Sequence, residues 1–129
     1  MTLEEALVTK LNAESGVTAL IGTRFYPNVI PAGATLTAAA YQRISTDPII
    51  AHDGPTGLAT ARIQISVQAV KYADAKAAAR AIRIALNGVN GTWGTVEIQR
   101  SALDNENDTD ELVDASVVRQ DYQIMYKEQ

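Results

Sequence analysis

Between Ala61 and Ala69 the chain alternates strictly. Ala61, Ile63, Ile65, Val67 and Ala69 are apolar, and Arg62, Gln64, Ser66 and Gln68 separate them. A period of two sends successive side chains to opposite faces, so this stretch reads as a strand with one buried and one wet face. A second strand is expected at Ala39-Ala40-Tyr41-Gln42-Arg43-Ile44-Ser45, weakened by its alanines. A third is expected over 96–103 and a long final one over 113–126, in which Val118, Tyr122, Ile124 and Tyr126 share a face. The helical period appears twice. Leu3, Leu7 and Leu11, with Ala6 and Val8 beside them, form one apolar stripe, and Thr2 with Glu5 makes a capping box at its start. Residues 73–86 are rich in alanine, lysine and arginine and end at Asn87-Gly88, which predicts a helix with Ala75, Ala79, Ile82 and Leu86 in the core.

The intervening segments read as irregular. Val17 to Ile21 is a short apolar turn stopped by Gly22, Arg24-Phe25-Tyr26-Pro27 runs extended because a proline disfavours a helical residue before it, and 28–37 is loop. Residues 46–60 carry Asp47-Pro48 and Asp53-Gly54-Pro55-Thr56-Gly57 and predict a long hairpin loop, of the length that compact domains reserve for function or mobility. Residues 87–94 form a glycine-rich connection, and 104–111 a hydrophilic hairpin tip. The order helix, strand, strand, helix, strand, strand implies an α+β domain: a mainly antiparallel four-stranded sheet with two helices packed on it.

A length of 129 residues, with 47% hydrophobic and 20% charged, fits one domain spanning 1–129 with a core large enough to need no staple. The chain has no cysteine, which removes thiol catalysis, thiolate zinc sites and disulfides, and its single histidine excludes a multi-histidine cage. Fifteen acidic against eleven basic residues give a net charge of −4, so the whole molecule does not attract nucleic acid. No apolar run reaches the ~20 residues of a membrane helix and the first residues do not resemble a signal segment, so a soluble protein without a membrane partner is expected.

Candidate chemistry is sparse. His52 stands beside Asp53 in the long loop, but no nucleophile lies at a recognisable spacing from it, and a contact role suits it better than a general base. Asp104, Glu106, Asp108, Asp110 and Glu111 alternate like the oxygen ligands of a calcium loop. The sixth position is nevertheless Thr109 where glycine is needed, and the twelfth is Ala115 where a bidentate glutamate belongs. Gly88, Gly91 and Gly94 follow a helix and precede a strand, the reverse of a phosphate cradle. No catalytic, metal or cofactor site is therefore assigned, and an enzyme is not expected. Lys76, Arg80 and Arg83 recur along one side of the second helix. With the acidic tip of a neighbouring copy they offer a head-to-tail contact, which makes a ring if its rotation closes.

Arg24-Phe25-Tyr26-Pro27, Tyr41-Gln42-Arg43-Ile44-Ser45, Gly54-Pro55-Thr56-Gly57-Leu58-Ala59 leading into Arg62-Ile63-Gln64-Ile65, and Tyr72-Ala73-Asp74-Ala75 follow one another in an order and spacing that resemble the tail-completion, or tail-terminator, family of long-tailed phages. The resemblance covers nearly the whole chain. It implies a non-enzymatic virion part, made in the host cytoplasm, that forms a six-subunit ring on the head-proximal end of the tail tube. Such a ring stops tube polymerisation and docks to head completion or connector proteins, with DNA only as cargo through its channel. A head–tail adaptor or the tube subunit itself is the alternative of similar size, and a small ligand-binding domain or enzyme a more distant one. Under this resemblance the 46–60 loop, with Ile49, Ile50, His52 and Asp53, is expected to make docking or neighbour contacts, while the charge pattern described above makes Lys76, Arg80, Arg83, Asp104, Glu106, Asp108, Asp110 and Glu111 the expected contact between subunits.

Overall fold

The alternating segment is the inner half of a central strand. A computed structural model of the protein describes residues 2–51, 54–112 and 115–128. Its elements are α1 (Leu3–Ala13), α2 (Ser15–Ile21), β1 (Phe25–Pro27), β2 (Ala38–Ala51), β3 (Gly54–Ala69), α3 (Tyr72–Leu86), β4 (Val89–Trp93), β5 (Val96–Leu112) and β6 (Ala115–Lys127). The six strands form one sheet in the order β1-β2-β3-β6-β5-β4. At its centre β3 and β6 pair antiparallel without interruption from Leu58 opposite Lys127 to Ala69 opposite Ser116. The flanking strands β2 and β5 are broken by bulges, at Arg43/Ser45 and Pro48/Ile50 in one and at Ile98/Arg100, Leu103/Asn105 and Thr109/Leu112 in the other. Each bulge adds local twist, so the sheet curls around its regular middle.

This architecture corrects the expected four-stranded sheet with two helices. The apolar turn at 17–21 is part of α2, which buries Val17 and Ile21. The extended Arg24–Pro27 segment contains β1, which pairs parallel with Ala39 to Tyr41 of β2, so the sheet is mixed. The glycine-rich connection contains β4, hydrogen-bonded to β5. Both long loops are largely strand: 46–51 pairs with 54–61, and 104–112 pairs with 115–121. Each of these pieces is short, edge-located or rich in polar and breaker residues, and takes strand geometry from the strand it pairs with rather than from its own sequence. Pro48 is compatible with β2 because its missing N–H is placed at a bulge on a strand near the sheet edge.

One face of the sheet carries the core. Ala61, Ile63, Ile65, Val67 and Ala69 of β3 and Val118, Tyr122, Ile124 and Tyr126 of β6 join Leu3, Leu7 and Leu11 of α1, Ile21 of α2 and the α3 stripe in one buried cluster. The expected apolar stripes of α1 and α3 are those observed. α1 begins at the expected capping box, with the Thr2 Oγ1 accepting from the Glu5 N–H at 3.2 Å and the Glu5 carboxylate accepting from the Thr2 N–H at 3.2 Å. Arg43 ties this end to the sheet: its guanidinium pairs with Glu4, donates to the Tyr126 hydroxyl at 3.1 Å and lies over the Tyr126 ring.

Gln120 is a fully buried polar residue on β6. Its Nε2 donates to the Ala79 carbonyl of α3 at 2.8 Å and to Glu106 Oε1 of β5 at 2.7 Å, while its Oε1 accepts from the Tyr122 hydroxyl at 2.9 Å. Burial also pushes the Tyr122 hydroxyl far above the usual tyrosine range, so it stays a donor. Gln120→Leu keeps a similar volume but leaves the buried Tyr122 hydroxyl without its acceptor and removes a donor from Glu106, and at about 1–3 kcal/mol for a buried unpaired group it is expected to destabilise the fold by about that amount in denaturant titration. An unchanged midpoint would show that the amide is dispensable.

Candidate functional site

The two ends of the sheet differ. β6 accompanies β3 only as far as Leu58, beyond which β2 and β3 continue as a pair, with Ile50 opposite Pro55 and Ala51 opposite Gly54. At about 3.4 Å per residue this ribbon projects roughly 14 Å past the sheet. Glu128 closes its base by donating its N–H to the Gly57 carbonyl at 2.7 Å. Ile50 is 72% exposed on it. Ile49 and Ile50 of the expected docking loop are thus on a strand near the ribbon tip, while His52 and Asp53 lie outside the described residues.

At the other end only the β5–β6 turn projects past Ser116, the last β6 residue paired with β3, and the part of β5 that leads to it, 104–108, lies within the sheet beside 118–121 of β6 and is acidic. Asp104 meets Arg62 at 3.1 Å, and the same guanidinium lies 3.7 Å from Asp121. Glu106 and Asp108 point to the helix side, because they lie opposite Gln120 and Val118 of β6. There the Tyr72 hydroxyl donates to Asp108 at 2.6 Å, and Lys76 Nζ lies 3.3 Å from Asp108 and 3.9 Å from Glu106. The Tyr72 hydrogen bond, followed by that from Lys76, holds the Asp108 carboxyl below its ordinary range, and the carboxylate in turn raises Tyr72 and Lys76. The side chains of Asp110 and Glu111 lie outside the described set.

The charges expected between subunits are therefore distributed in two ways. Lys76 is brought to the acidic strand of its own chain. Arg80 and Arg83 stand exposed on the outer side of α3 without an ion pair among the described residues, beside Ile84, which is 70% exposed. Sequence reading missed Tyr72, Gln120 and Arg62. Tyr72 and Lys76 are one helical turn apart at the start of α3, and that spacing after a strand is the signal that places both over its neighbour. Gln120 falls on the apolar parity of Val118, Tyr122 and Ile124, which marks it as buried.

A groove of about 490 Å³ lies on the other face of the sheet, under the 28–36 segment, and is lined by Val29, Ile30, Pro31 and Leu36 against Gln68 and Arg119. It brings no acid–base pair together. Among the described residues no three histidine, cysteine, aspartate or glutamate side chains converge as a metal site, and no helix is long and apolar enough to cross a membrane.

A family model described as tail completion protein gp17 matches residues 5–127. A chain from a structure of the virion of a native gene transfer agent particle superimposes with a TM-score of 0.72 at 25% identity, covering 97% of this chain and 94% of that one. No curated protein matches.

The clamp on the acidic strand has a measurable titration. Asp108 is expected to titrate below the ordinary aspartate value of about 3.9, so its contribution is present above that value and disappears as pH falls through the lowered one. NMR titration of the Asp108 carboxyl is expected to show the low midpoint, and Tyr72→Phe to move it upward. An ordinary midpoint that ignores the substitution would mean that the clamp is absent in solution.

Proposed function

Because the chain belongs to the tail completion protein gp17 family, we propose that it is a structural, non-enzymatic virion protein that caps the head-proximal end of a phage tail tube as a hexameric ring. In that place it stops tube growth and offers the docking surface for the head connector. The likeness to a chain of a gene transfer agent virion supports a place in a tailed, phage-like particle. The observation that carries the reading is the difference between the two ends of one regular sheet. One end carries a ribbon with Pro48, Ile49 and Ile50 near its tip, and towards the other β5 is acidic and clamped to α3. A terminator must bind the last tube ring at one end without offering a tube-like surface at the other, and two unlike ends meet that requirement.

The apolar ribbon, with Ile49, Ile50, His52 and Asp53, is assigned to docking. Arg80 and Arg83 are assigned to the neighbouring subunit, with the acidic residues of β5 as their counterpart. Lys76 serves chiefly to hold that strand in position within its own chain. The duplex passes through the ring as cargo.

Particles assembled without this gene are expected to show filled heads beside separate, overlong tails in electron micrographs, and added purified protein is expected to restore joining. Normally joined particles, or particles with no tails, would overturn the terminator role and favour an adaptor or a tube subunit. The double variant Arg80→Glu/Arg83→Glu is expected to weaken self-association at low salt, with the difference shrinking as salt rises. Sedimentation profiles identical to wild type across salt would remove these arginines from the interface.

A further inference from the structure

The outer edges of the sheet are only partly covered. β1 pairs with β2 at Ala39 to Tyr41 and goes no further, leaving the outer side of 42–48 without a strand. β4 pairs with β5 from Val96 to Ser101, and beyond it the Leu103 N–H donates to the Asn87 side chain at 2.9 Å, with no strand laid against the rest of that side among the described residues. An uncovered edge is a row of backbone donors and acceptors ready to take another strand.

The two gaps are only partly level. Register carried across the sheet puts Arg43 of β2 beside Ile63, Tyr122 and Leu103, and Pro48 beside Ala59, Tyr126 and Ile98. The two runs are therefore staggered: 42–45 of β2 lie level with 102–105 of β5, but 46–48 lie level with the part of β5 that β4 covers, and 106–108 of β5 lie level with the part of β2 that β1 covers. A single copy cannot join its own two gaps, which sit on opposite edges. Two copies can. β2 and β5 run in opposite directions, so the free run of one laid against that of the next continues the sheet antiparallel. The copies must then slide by about five residues, roughly 17 Å along the strands, which brings Ser45 from the level of Ala102 to that of Asn107.

The side chains allow this approach. Gln42, Ser45 and Asp47 lie with Gln64, Arg62 and Thr60 on the face away from the core, and Asn105 and Asn107 lie there with Asp121 and Arg119. These are short or amide-bearing groups suited to cross-strand hydrogen bonds. The acids that would repel an added strand, Glu106 and Asp108, are turned to the helix side and met by Gln120, Lys76 and Tyr72 of their own chain.

We propose that neighbouring subunits join by antiparallel pairing of the outer edge of β2, residues 42–48, with the outer edge of β5, residues 102–112, of the next copy. The contact is heterologous, so repetition closes a ring or runs on as a helix. This inference rests on the ring reading of the function and names the surface that builds the ring.

The cysteine-free chain makes the test clean. Particles are complemented with Ser45→Cys/Asn107→Cys or with Asp47→Cys/Asn105→Cys, which share one antiparallel register, and treated with a short bismaleimide. A ladder of covalent oligomers beyond the dimer is expected from at least one pair, at ten or more times the yield from either single-cysteine variant. Joined particles that contain the protein in normal amount but give only monomer with both pairs would overturn the edge pairing and leave the tail role standing. Joined particles that lack the protein would overturn both.

Discussion

A single buried amide connects the core of this molecule to its outer surface. Gln120 sits where an apolar residue is the cheaper choice, and it is satisfied on all sides: by the backbone of α3, by Glu106 of β5 and by the hydroxyl of Tyr122. A fully satisfied polar group in a low-dielectric interior tolerates little displacement, because losing any partner leaves an unsolvated donor or acceptor. α3 is therefore held at a fixed depth and rotation against β5 and β6. Tyr72 and Lys76, one to two turns further along the same helix, then stand over Asp108, and the acidic part of β5 is oriented by a bond made deep inside the fold.

The parts of the fold that were legible from the residues are those whose stability is local or strongly periodic. β3 announces itself by alternation because one face is dry and the other wet, and α1 and α3 announce themselves by apolar spacing and, for α1, by a cap that closes within four residues. β1, β4 and the far halves of β2 and β5 have no such mark. Residues 104–108 read as Asp-Asn-Glu-Asn-Asp, which has no strand preference, and they are strand because β6 lies beside them and because Gln120, Lys76, Tyr72 and Arg62 take up the carboxylates. The same holds for the site. That Lys76 belongs with acidic residues was readable from charge and spacing, whereas the chain on which those acids lie depends on a crossover that puts α3 between β3 and β4.

Function in a protein of this kind follows from where surfaces point. Regular pairing of β3 with β6 supplies a rigid reference, the bulges confine curvature to the flanking strands, and the ribbon and the β5–β6 turn inherit fixed directions from both. Loops would have provided contact residues without direction. A ribbon supplies both, because its backbone bonds prolong those of the sheet.

The unbroken β3–β6 register also has a mechanical meaning. The ribbon is continuous with the start of β3 and the β5–β6 turn with the start of β6, and these strands run in opposite senses. A pull on the two tips therefore loads the central pair in shear, with all of its hydrogen bonds sharing the tension instead of opening one after another. In the place proposed above, at the junction of a tail with a head, such load would fall along the longest uninterrupted pairing in the molecule.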